Sequence, residues 1–154
     1  DGALRVKEVR VAPVRDGAGP ITMQTPVRVT TDFEVLAPLA RAAHITYHLL
    51  NDQGIVVLTT GCASARHAPG LHRAEFHIPG ALLNSGGYSL NLLLVENENQ
   101  LVSLTSDVVS FEVIDAAPRE VAYSGREPGV VQPPFEWTVE GWGACAPRSD
   151  ADAG

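Results

Sequence analysis

Residues 86–113, GGYSLNLLLVENENQLVSLTSDVVSFEV, decide the fold. A Gly-Gly turn leads into a strand opened by Tyr88, a polar loop follows, and a second strand closes the stretch. Tyr88, Leu90, Leu92 and Leu94 fall on one face, Ser89 and Asn91 on the other. Successive side chains of a strand point to opposite faces, so this spacing describes a sheet with one face against a core. Val109, Phe111 and Val113 repeat the period of two, with Ser110 and Glu112 between them. Two such strands joined by a polar loop indicate an antiparallel sandwich. Tyr88, just after the glycine turn, has the position of the tyrosine corner that pins a sandwich loop.

The same pattern extends outward. Residues 4–14 alternate Val6 and Val9 or Val11 with charges, with a slip that marks a bulge. Residues 27–36 set Val27, Val29, Thr31, Phe33 and Val35 inward and Arg28, Thr30, Asp32 and Glu34 outward. Residues 43–50 place Ile45, Tyr47 and Leu49 on one face and His44, Thr46 and His48 on the other. Asn51-Asp52-Gln53-Gly54 is a hairpin turn, since Asn, Asp and Gly tolerate positive φ, and residues 55–62 form the return strand. Residues 71–78 form another strand, ended by Pro79-Gly80, and residues 80–84 have room for one turn of helix. Residues 119–129 read as loop. A last strand over residues 130–139 carries Phe135, Trp137 and Val139 on one face. Pro133 and Pro134 cannot donate to a ladder, which makes it an edge strand or delays its start past Pro134.

The expectation is an all-β protein, an antiparallel β-sandwich of immunoglobulin-like or jelly-roll type with about eight strands. Residues 1–145 form this single domain, and residues 146–154 a disordered tail.

Composition narrows the function. The 154 residues suit one domain, and a hydrophobic fraction of 45% is enough for a core. Eleven basic against eighteen acidic residues leave a net charge of −7, spread thinly, which argues against nucleic acid or an anionic membrane as partner. No apolar run approaches the roughly 20 residues needed to cross a bilayer. The opening DGALRVKEVRV has no signal-peptide core, and a start at Asp1 rather than Met points to a piece of a longer protein. Cys62 and Cys145 read as reduced thiols of a cytoplasmic protein, with a disulfide between them left open.

Catalytic and metal signatures are absent from the sequence. No G-x-S-x-G elbow surrounds a serine, and Glu96 and Glu98 lie in a loop without an evident partner. His67, His72 and His77 have irregular spacing, where a zinc site needs close paired ligands. The expectation is no enzyme, no metal and no cofactor. Trp137, sharing a face with Phe135 and Val139, is read as a core or interface residue.

Several motifs in order carry a resemblance. The initial LRVKEVRV precedes the NDQG hairpin and then PGALLNSGGYSLNL, which contains Leu83, Gly86, Gly87 and Tyr88 as L-x-x-G-x-Y. Asp107, Phe111 and Val113 follow as D-x-x-x-F-x-V, and Gly129, Val130 and Val131 with Trp137 close the series. This order, across residues 4–139, resembles the C-terminal domain of Wzt-type proteins, the ATP-binding subunits of ABC transporters that export bacterial O-antigen polysaccharides. The resemblance implies an immunoglobulin-like sandwich, a homodimer that exchanges its last strand, and recognition of the capped or modified non-reducing end of the polysaccharide. It also implies a preceding nucleotide-binding domain and a membrane transporter subunit as partners in the full-length protein, at the cytoplasmic face of the inner membrane. No G-x-x-x-x-G-K-[ST] loop occurs in these residues, so they do not bind ATP by that route.

With a glycan as the implied ligand, the candidate site is the outward face carrying His44, Thr46 and His48, with Ser89 and Asn91 beside them and Arg28 at the margin. Imidazole, hydroxyl and amide groups hydrogen-bond sugar hydroxyls. His44 and His48 are roughly 13 Å apart on a strand, too far to share one metal. A competing site is the loop with Arg66, His67 and Arg73, whose guanidinium forks suit an anionic terminal sugar. Two other functions stay open: a structural sandwich that binds protein through an exposed apolar patch, and an accessory domain of a glycan-modifying transferase.

Overall fold

The alternation that dominates the sequence becomes burial. In the computed structural model, which describes residues 2–15, 19–116, 128–131, 133 and 135–139, Val27, Val29, Phe33 and Val35 are buried along one strand. Eight strands follow in chain order: β1 (Leu4–Pro13), β2 (Ile21–Thr22), β3 (Val27–Val35), β4 (Ala43–Asn51), β5 (Val56–Gly61), β6 (Gly70–Ile78), β7 (Gly86–Glu96) and β8 (Gln100–Ile114). They form a three-stranded sheet in the order β1-β3-β6 and a five-stranded sheet in the order β2-β8-β7-β4-β5. This is the immunoglobulin plan, with β1, β3 and β6 in the A, B and E positions and β8, β7, β4 and β5 in the G, F, C and C′ positions.

The core lies between the sheets. Val27 and Val29 from one sheet meet Leu49 and Leu90 from the other, and each is almost completely buried. Burying side chains of this size stabilises by about 1.5–3 kcal/mol apiece. One polar tie crosses the core: the hydroxyls of Thr31 on β3 and Tyr47 on β4 share a hydrogen bond of 2.6 Å. Burial pushes the Tyr47 phenol up from its ordinary range, against the smaller opposing effect of the Thr31 bond. The β1 slip is a bulge between Val6 and Glu8 in its pairing with β3. The β4–β5 turn forms as expected, with Gly54 at φ 74° and Asn51 Oδ1 accepting from the amides of Gln53 and Ile55 at 3.0 and 2.9 Å.

Four expectations need correction. The polar loop after β7 shrinks to a turn at residues 97–99, with Asn97 and Glu98 at positive φ, and β8 already begins at Gln100. The edge strand β2, parallel to Val113 and Ile114 of β8, was not foreseen. Residues 80–84 make a turn and one bridge rather than helix. The expected strand over residues 130–139 reduces, among the described residues, to a bridge between Leu83 and Val131. Phe135, Trp137 and Val139 are 77%, 86% and 93% exposed and so are not core residues of this chain. The strand count therefore matches through β2 replacing that last strand. Cys145, Trp142, the tail at 146–154 and most of the 119–129 loop lie outside the described residues. Cys62 is a free, exposed thiol.

Candidate binding groove

The central strands of the five-stranded sheet build the polar face. β4 and β7 pair antiparallel, with Leu50 opposite Ser89, His48 opposite Asn91, Thr46 opposite Leu93 and His44 opposite Val95. Inward neighbours Tyr47, Leu49, Leu90 and Leu92 are buried, so these eight side chains share the outer face. Five of the six residues expected there, His44, Thr46, His48, Ser89 and Asn91, thus share one surface. Arg28 does not. It belongs to β3, which pairs with β1 and β6, because the β3–β4 connection crosses from one sheet to the other. Its guanidinium Nε is 3.6 Å from Glu75 on the outer face of the opposite sheet.

The face is not uniform along its length. Towards one end Leu93 and Leu104 lie opposite each other, and Leu101 and Leu104 are about half exposed. His44 and Thr46 fall at this end, where His44 Nδ1 is buried without a hydrogen-bond partner. At the other end an open groove of about 730 Å³ is bounded by the β4–β5 turn, the start of β7 and a bulge in β8. Ser89 and Asn91 line it together with Asp52, Asp107, Ser110 and Glu112. His48 is not in the lining but adjoins it, directly across from Asn91.

Local backbone geometry shapes this groove. The β7–β8 ladder steps from Leu90 opposite Val109 to Leu92 opposite Thr105, so residues 106–108 bulge out against Asn91 alone. Asp107 adopts φ 52° at the crest, and its amide donates to Asn91 Oδ1 at 2.9 Å. A bulge re-aims side chains that a regular ladder would hold in register. Asp52 is carried by the hairpin turn that Asn51 braces. Beneath them Tyr88 stacks on Phe111 with ring centroids 5.6 Å apart. The Tyr88 hydroxyl donates to the carbonyl of Asn84 at 2.6 Å, the tyrosine corner expected from the sequence. It also reaches the Val130 carbonyl at 3.2 Å, while Asn84 Nδ2 donates to the Gly129 carbonyl at 2.8 Å. The groove therefore offers hydroxyl, amide and carboxylate groups over an aromatic floor.

Arg66, His67 and Arg73, the residues of the competing site, have different surroundings. Arg73 points outward from β6 and forks onto Asp32, with Nε and Nη2 at 2.6 and 3.0 Å from its two carboxylate oxygens. Arg10 completes the cluster at 3.1 Å from Asp32. The Arg73 hydrogen bond, with the charges of Arg73 and Arg10, holds the Asp32 carboxyl below its usual range against a weaker push from desolvation. His67 packs instead against Phe33 and His72, with ring centroids 5.5 and 5.2 Å away. His72 shares the inward parity of Ala74 and Phe76, opposite to Arg73. Arg66 is exposed beside His67. His77 bonds Glu75 at 2.9 Å, and no group of three or more metal-ligating side chains gathers among the described residues.

Sequence reading reached Ser89 and Asn91 but missed Asp107, Glu112 and Asp52. The break in alternation across Thr105-Ser106-Asp107-Val108 was the one available signal, since Asp tolerates the left-handed region that a bulge crest needs.

No protein-family model matches the chain, and no curated protein matches it by sequence. Among solved structures, a crystal structure titled as the C-terminal domain of Wzt is similar, with a TM-score of 0.67 and 14% sequence identity. The match covers 91% of this chain and 86% of that chain. At that identity the likeness shows the fold. No helix among the described residues is long and apolar enough to cross a membrane.

Proposed function

We propose that this chain is a non-catalytic carbohydrate-binding module that recognises the capped or modified non-reducing end of an O-antigen polysaccharide for export by an ABC transporter. The observation that carries it is a polar groove of 730 Å³ on the outer face of a sandwich that shares the Wzt C-terminal fold over 91% of the chain. Function resides in sites carried by folds, and here the groove supplies the chemistry. Ser89, Asn91 and the adjoining His48 offer donors and acceptors across neighbouring strands, about 5 Å apart and within reach of one sugar. Sugar hydroxyls exchange water bonds for protein bonds at small net gain, so micromolar or weaker affinity is expected.

Titrating the cognate polysaccharide against His48→Ala, Asn91→Ala and Arg66→Ala tests the site. Loss of binding in Asn91→Ala with retention in Arg66→Ala supports the groove; the reverse moves the site to the Arg66 loop. A phosphate loop encoded upstream of Asp1 would support the transporter context at the cytoplasmic face of the membrane, and another domain type there would favour an accessory role in a glycan-modifying transferase.

The exposed Phe135, Trp137 and Val139 favour a protein contact as well. In this proposal the contact is a second copy, engaged through the C-terminal segment, because exchange of a terminal element is a low-cost route to a two-fold dimer.

A further inference from the structure

We infer that the groove takes a terminus without an anionic group, gripped through its hydroxyls by a donor at Asn91 Nδ2 and acceptors on Asp107 and Glu112. The inference rests on the glycan-binding reading of this groove and adds the chemical class of the terminus.

The polarity of Asn91 comes first. Its Oδ1 accepts from the Asp107 amide at 2.9 Å, which fixes the orientation of the side-chain amide and so the position of its NH₂. That NH₂ is a donor with two protons. The bulge that makes this bond also places Asp107 in the groove wall, opposite in chemical character to Asn91. Glu112 and Asp52 complete the charged part of the lining. A carboxylate has acceptor sites only, so it matches the O–H protons of a diol, while the Asn91 NH₂ matches a sugar oxygen.

Charge selects next. Among the described residues, the lining holds the carboxylates of Asp52, Asp107 and Glu112 and no Lys, Arg or His. A phosphate or uronate entering it meets like charge without a counter-charge, which is a device for rejecting a ligand rather than holding it. The Arg73 guanidinium is on the other sheet and already forked onto Asp32.

The test uses a panel of oligosaccharides matched in length: neutral, amine-bearing, phosphorylated and uronate-terminated. Binding is followed by chemical shifts of the backbone amides at 91, 107 and 112. A neutral or amine-bearing member is expected to move these amides. Its anionic counterpart is expected to bind at least about tenfold more weakly in 20 mM salt, with a gap that narrows at 500 mM as screening grows. Asn91→Asp keeps an oxygen for the Asp107 amide and loses the donor, so affinity falls roughly five- to tenfold while the melting temperature holds. An anionic member bound preferentially at these amides overturns this inference and leaves the glycan reading standing. Amides unmoved by every member overturn both. Unchanged affinity in Asn91→Asp removes Asn91 from the donor role.

Discussion

Asn84 shows how much one side chain can organise. It is fully buried, donates to the Gly129 carbonyl, accepts from the Ser85 amide at 2.8 Å, and lends its own carbonyl to Tyr88. Asn84→Ala strands a carbonyl and an amide together, and a cost of about 2–3 kcal/mol is expected in urea unfolding. Tyr88→Phe keeps the Phe111 stack and loses only the hydroxyl, so about 1–2 kcal/mol is expected. Equal losses in the two variants would contradict this division. Asp32 gives a pH signature. Its carboxyl titrates lower folded than unfolded because Arg73 binds the ionised form. Its contribution is therefore present above the unfolded value, near 3.8, and disappears as pH falls through the lower folded value. Unfolding midpoints measured from pH 6 down to pH 2 should lose this component in the wild type, and Asp32→Asn should lack it at every pH.

At the scale of elements, contacts that no side-chain pattern reveals decide some outcomes. A Cβ at Gly80 would collide with the backbone carbonyl of Gln24, where the Ala81 amide also reaches the Met23 carbonyl at 2.7 Å. Gly80→Ala is expected to destabilise by about 1–3 kcal/mol, visible as a lower melting temperature. β3, β4 and β7 were legible in the sequence because each buries one face and exposes the other, which writes a period of two directly into the residues. The first half of β8 was not legible. Two irregularities in its pairing with β7 break the period, and Leu101, Leu104 and Thr105 are all exposed. A two-residue strand such as β2 is too short to carry a period at all. Residues 130–139 mislead in the opposite sense, since Phe135, Trp137 and Val139 alternate but form no strand among the described residues. Sheet membership was the other blind spot. Local alternation says that Arg28 faces outward, and only long-range pairing says outward from which sheet. For the groove, Ser89 and Asn91 were reachable from the β7 pattern, whereas Asp107 enters through a bulge and Asp52 through a turn, and neither position follows from a strand period.

For the whole molecule, the two sheets place a charge-balanced face and a groove-bearing face on opposite sides of one core. Lys7 with Glu34, Arg73 with Asp32 and Arg28 with Glu75 occupy the first, where exposed pairs add solubility and little stability. The dimer proposal is decided at this scale. Light scattering should give twice the chain mass, falling to one chain mass when residues from Val130 onward are deleted, and a mass unchanged by the deletion excludes exchange. The root and tip of the C-terminal segment differ: Gly129 and Val130 are fastened by Asn84 and Tyr88, while Phe135, Trp137 and Val139 stand free of their own sandwich. Swapped elements ordinarily must first be pulled out of the protomer that holds them, which ties the exchange to the slow rate of unfolding. In a dimer formed by the proposed exchange, no such extraction would precede the encounter. Subunits carrying different labels should therefore reshuffle at a rate set by dissociation and collision, far faster than the chain unfolds in water.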